Sequence, residues 1–106
     1  MNERTLTEGD ILYFGFYLKD KDETTGSITY HDLSLANSVV FRMRKYGETA
    51  NAIEVNMQVI EPTKGFCRVL VTVPPSGIYL SEVEVFETEQ NITWEGPVFI
   101  VKPQLG

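Results

Sequence analysis

Asp10-Ile11-Leu12-Tyr13-Phe14-Gly15-Phe16-Tyr17-Leu18 sets Leu12, Phe14, Phe16 and Leu18 on one side of an extended chain and Ile11, Tyr13, Gly15 and Tyr17 on the other. Side chains of a strand alternate between faces, whereas a helix brings together residues three and four apart. The stretch therefore predicts a strand with an apolar core face and an aromatic second face.

The same period of two recurs along the chain. In 38–46, Val39, Phe41 and Met43 alternate with Val40, Arg42 and Arg44, an apolar face against one that turns basic. In 52–60, Ile53, Val55, Met57 and Val59 oppose Glu54, Asn56 and Gln58. Glu61-Pro62-Thr63-Lys64-Gly65 reads as a turn, with Pro62 presetting φ and Gly65 accepting a positive one. Residues 66–73 then return with Cys67, Val69, Val71 and Val73 on one face, which makes a hairpin.

Pro74-Pro75-Ser76-Gly77 lacks the amide donors of a ladder and is a connection. Residues 78–86 set Tyr79, Val83 and Val85 against Leu80, Glu82 and Glu84, and 92–101 form a last strand interrupted at Gly96-Pro97. With a weaker strand near 27–30, the spacing predicts an all-β fold, an immunoglobulin-like β-sandwich of about seven antiparallel strands. Leu33 to Asn37 is a turn at most. No repeat or break in composition divides the chain, so residues 1–106 are expected to form one domain, with loose ends at 1–8 and 103–106.

Composition removes several function classes. Nine Lys and Arg against fifteen Asp and Glu leave a net charge of -6, and the densest basic stretch, Arg42, Arg44 and Lys45, is too short to follow a phosphate backbone. Nucleic acid is not an expected partner. No apolar run approaches the ~18 residues of a membrane span, and the polar first ten residues do not read as a signal peptide. Cys67 is the sole cysteine, which excludes an internal disulfide and a thiolate zinc site and reads as a small core residue.

The polar clusters each have a structural explanation. His31-Asp32-Leu33-Ser34 holds triad-type side chains, but local clustering in a loop does not place a base between nucleophile and carboxylate. Asp32 and Ser34 are expected to satisfy turn backbone. Asp20, Asp22 and Glu23 lack the Gly-punctuated spacing of a calcium loop and read as a solvated turn. Glu82 and Glu84 share a strand face without a cleft and read as solvated charge rather than paired acids. No catalytic residue, metal ligand or cofactor site is assigned, and an enzyme is not expected.

The aromatic residues are the remaining candidates. Tyr13 and Tyr17 share a face, and with Trp94 they form the candidate interaction surface, able to seat a partner protein or to stack on sugars, with Tyr79 a further candidate for sugar. A second core layer is the competing reading.

In order, Gly9-Asp10, Leu12 to Asp20, Asp32-Leu33-Ser34 with Ala36, Val39 to Arg44, Lys64-Gly65 and Gly77 to Val85 resemble the N-terminal immunoglobulin-like domain of phage baseplate upper proteins and related tail proteins. Leu35 stands where that family usually has Gly, and the 20–30 loop is long. The resemblance implies a non-enzymatic structural domain, made in the bacterial cytoplasm and built into the virion tail or baseplate. Its implied partners are other tail or baseplate proteins, or further copies of itself. A carbohydrate-binding module is the alternative.

Overall fold

The computed structural model describes residues 2–105. The fold is all-β: the described residues form eleven strands and one short 3-10 turn, Pro62–Lys64. The strands are β1 (Glu3–Thr7), β2 (Ile11–Tyr17), β3 (Lys19–Lys21), β4 (Ile28–Tyr30), β5 (Ala36–Lys45), β6 (Ile53–Asn56), β7 (Gln58–Glu61), β8 (Phe66–Thr72), β9 (Gly77–Glu87), β10 (Asn91–Glu95) and β11 (Val98–Lys102).

Two sheets enclose the core. The larger runs β1-β11-β9-β5-β6, with β10 pairing the other half of β9, and the smaller runs β2-β8-β7. β3 and β4 form a separate hairpin. The alternation seen in sequence assigns the inward faces correctly: Phe14, Val39, Phe41, Met43, Cys67, Val71, Tyr79, Val83 and Val85 are all buried. Phe14 of the smaller sheet joins the two layers. It stacks on Phe99 with ring centroids 5.2 Å apart and meets the edge of Phe41 at 5.3 Å, a geometry that adds to the burial of three large rings.

Three expectations are corrected. Residues 1–8 and 103–106 were expected to be loose; Met1 and Gly106 lie outside the described residues, but β1 pairs in parallel with β11 from Glu3↔Val98 to Thr7↔Lys102. Glu3 to Thr7 holds only one strongly apolar residue, Leu6, so the signal for this strand lies in a distant partner. The 52–60 stretch is two strands rather than one, with β6 in the larger sheet and β7 in the smaller. The change falls at the buried Met57, whose N–H reaches the Val39 carbonyl at 2.8 Å. The 19–30 stretch, expected to be a solvated turn before a weak strand, is the β3–β4 hairpin.

Two turns follow their chemistry. Gly65 ends the 3-10 turn at φ +60, and a Cβ there would lie 2.5 Å from the Leu18 carbonyl oxygen and 2.8 Å from that of His31. Only glycine fits a left-handed position this close to backbone. At the Gly96-Pro97 interruption, the Gly96 N–H donates to the Ser81 carbonyl and the Ser81 hydroxyl to the Pro97 carbonyl, at 3.0 and 2.7 Å. The strand breaks there without stranding its backbone groups.

Candidate interaction surface

The outward side chains of β2 and β8 stand in cross-strand pairs: Ile11↔Thr72, Tyr13↔Leu70, Gly15↔Arg68 and Tyr17↔Phe66. Gly15 is the gap in this row. A Cβ there would lie 3.1 Å from Phe66 Cε1, so the glycine lets the Phe66 ring lean across β2 and stack on Tyr17, with centroids 4.6 Å apart. Tyr30, on the neighbouring hairpin, lies 6.1 Å beyond Tyr17. On the other side of Gly15 the Arg68 guanidinium covers one face of Tyr13 at 4.5 Å, a cation–π contact. Its Nε is buried without a hydrogen-bond partner.

This face is apolar and open. Ile11, Tyr13, Tyr17 and Leu70 are each more than half exposed, and Ile28, Tyr30 and Ile60 are exposed as well. Large apolar side chains clustered on one sheet face mark an interaction surface more often than scattered surface residues do. The structure therefore brings Tyr13 and Tyr17 together on one exposed face.

Trp94 does not join them. It lies on β10 of the larger sheet, packs against the core, and donates its Nε1–H to the Lys19 carbonyl at 2.9 Å. Its ring sits edge-on to the His31 imidazole with centroids 5.1 Å apart. Tyr79 is also internal, buried at the start of β9 with its hydroxyl donating to the Pro75 carbonyl at 2.6 Å.

The polar clusters are occupied by one another. His31 lies between two carboxylates, Nδ1 2.7 Å from Asp20 Oδ2 and Nε2 2.9 Å from Glu87 Oε2. Both ring nitrogens donate only in the imidazolium form, so the arrangement favours the charged ring. Burial alone would lower the His31 pKa; the hydrogen bonds and charges of Asp20 and Glu87 outweigh it and raise the value. Glu87 is held below the ordinary range by its hydrogen bonds to Gln90 and then to His31. The cluster ties the β3–β4 hairpin to the end of β9.

Asp32 accepts the Ser34 N–H at 2.9 Å, the turn role expected of it, and hydrogen bonds to the Ser34 side chain and then to that N–H lower its pKa. Glu82 and Glu84 are not simply solvated. With Glu54 they surround the Arg42 guanidinium, which lies 3.0 Å from Glu82 and 2.7 Å from Glu84. Hydrogen bonds to Glu54 and Glu84 push the Arg42 pKa further up. Asp22 accepts the Thr24 N–H at 2.8 Å in a local turn. Cys67 is fully buried, and burial pushes its thiol pKa up to about 11.

No protein-family model and no curated protein matches the chain. The site is thus read from its own residues. Sequence reasoning identified Tyr13 and Tyr17 but missed the His31 cluster, whose partners stand 11 and 56 residues away. It also missed Arg68, Leu70 and Ile60, for which the register of β7 and β8 against β2 supplies the signal.

Proposed function

We propose that this chain is a non-enzymatic, immunoglobulin-like assembly domain that joins other proteins of a phage or prophage tail or baseplate. The observation that carries the binding role is the exposed apolar face around Tyr13, Tyr17 and Leu70. A non-enzymatic role is supported by the mutual engagement of His31, Asp20 and Glu87, and of Arg42 with its three carboxylates.

Strand order supports the immunoglobulin-like reading. A smaller sheet β2-β8-β7 facing a larger one built on β11-β9-β5-β6 follows the B-E-D and G-F-C-C′ arrangement of that fold. The Tyr79–Pro75 hydrogen bond occupies the place of its tyrosine corner, at the start of the sixth of those strands. The tail and baseplate setting rests on the sequence resemblance.

Carbohydrate binding is the second reading, favoured by the two exposed tyrosine rings on one face. Against it, Tyr17 already stacks on Phe66 and Tyr13 lies under Arg68, which leaves each ring one face for a sugar. The test is co-expression with the products of neighbouring genes, comparing the wild type with a Tyr13→Asp/Leu70→Asp variant. Co-purification of a tail component that the variant loses supports assembly. A strictly monomeric protein that captures none of them, or one that binds on a glycan array, overturns it.

A further inference from the structure

The outer edge of β2 has unpaired backbone. Hydrogen bonds from Leu18 N to Gly65 O and from Val73 N to Asp10 O, both 2.8 Å, bracket the β2–β8 ladder and set its phase. Residues directed at β8 are therefore the even ones, Leu12, Phe14 and Phe16, paired with Val71, Val69 and Cys67. The N–H and C=O groups of Ile11, Tyr13, Gly15 and Tyr17 face the other way. Among the described residues no strand pairs with that edge. It ends at Lys19, whose carbonyl is taken by Trp94.

This edge lacks the usual defences. Exposed edges are blunted by charge, proline or bulges. β1 carries Glu3 and Arg4, β6 carries Glu54, and β7 runs into Glu61-Pro62, but Ile11 to Tyr17 has neither charge nor proline. Beside it lies a cleft of about 780 Å³, bounded by β1, β2 and the Gly96-Pro97 corner. Its lining joins apolar Leu6, Leu12, Phe16 and Phe99 with polar Asn2, Arg4 and Thr5, and Glu95, which also borders it, stands opposite Glu82 on the outward face of the larger sheet.

We propose that this edge and cleft seat one extended strand supplied by another polypeptide, which becomes the fourth strand of the smaller sheet. An immunoglobulin-type sandwich has a strand at this position, beside the second strand. β1 lies on the larger sheet and leaves the place open. β1 and the Gly96-Pro97 corner border the cleft beside this edge, which leaves room for a lone strand and not for the broad edge of a second sandwich.

Charge selects the partner. Arg4 stands opposite Phe99 in the β1–β11 register, on the core-facing side, and lines the cleft. Among the described residues no carboxylate pairs with it. The seated strand is therefore apolar at its inward positions with an acidic residue among them, in at least seven residues to match β2. This deepens the assembly reading and rests on it only for where the strand comes from.

The test uses the whole chain and a probe peptide, acetyl-Thr-Val-Thr-Glu-Thr-Val-Thr-amide, with hydrogen exchange followed by NMR. The expected result is about tenfold slower exchange at the Ile11, Tyr13, Gly15 and Tyr17 amides. A peptide with Lys in place of Glu binds at least several-fold more weakly, and Arg4→Glu reverses that preference. Ile11→Pro removes an edge N–H that the β8 ladder does not use, and weakens binding without unfolding the domain.

Unchanged exchange at millimolar peptide overturns the proposal, as do shifts confined to Leu70 and Arg68. Protection of the same amides that grows with protein concentration alone also overturns it, because the occupant is then a second copy. A protein that binds the peptide but captures no tail component retires the assembly reading and leaves the seat. Capture that survives Ile11→Pro together with Arg4→Glu does the reverse.

Discussion

His31 Nε2 lies 2.9 Å from Glu87 Oε2, a contact between the residue after β4 and the last residue of β9. Its strength depends on pH. The His31 pKa is raised in the folded protein, so the stabilisation is fully present below the ordinary value of 6.5 and is lost as pH rises through the folded pKa. Glu87 is lowered, so its share is present above 4.5 and is lost as pH falls through its folded value. The melting temperature is expected to be highest between about pH 5 and 6 and to decline toward pH 8. In His31→Gln the decline disappears; a wild-type Tm that is flat from pH 5 to 8 contradicts the ion cluster.

Arg42 holds three carboxylates on one sheet face. Arg42→Met keeps the aliphatic packing but leaves Glu54, Glu82 and Glu84 to repel one another across β5, β6 and β9. Part of the cluster is exposed, so the loss is set between that of surface and buried ion pairs, about 1–2 kcal/mol. Urea denaturation measures it, and added salt recovers part of the loss by screening the carboxylates.

The Tyr79 hydroxyl is expected to contribute about 1 kcal/mol through its bond to Pro75, because the aromatic ring stays packed when only the hydroxyl is removed. Tyr79→Phe should therefore unfold at lower urea with an unchanged m-value. An unchanged midpoint would show that the corner adds nothing to stability.

Gly65→Ala tests the tightest backbone approach in the fold. The left-handed φ and the clash with the Leu18 and His31 carbonyls act together, and a loss of about 2 kcal/mol or more is expected. Gly47 also has a positive φ, but a Cβ there meets nothing within 4 Å. Gly47→Ala should cost less, and calorimetry on the pair separates strain from collision.

Alternation made the core faces legible in the sequence, because a strand's inward set repeats every second residue whatever its partner. Phe14, Phe41, Val83 and Cys67 were placed that way. The same rule could not separate β6 from β7, since Ile53, Val55, Met57 and Val59 keep one period while the chain passes from one sheet to the other. β1 was hidden for a related reason: a parallel partner ninety-odd residues away leaves no local mark on Glu3 to Thr7. Tyr13 and Tyr17 followed from the outward phase of β2, whereas Trp94 turned inward because it stands opposite the buried Val83, and there Lys19 offers its indole an acceptor.

Hydrogen exchange on the complex captured with neighbouring gene products tests most directly the account in which assembly runs through a strand seated on the β2 edge. The account predicts slow exchange at Ile11, Tyr13, Gly15 and Tyr17 in the complex and fast exchange at the same four amides in the free protein. A complex that holds together while those amides exchange as fast as before would contradict it.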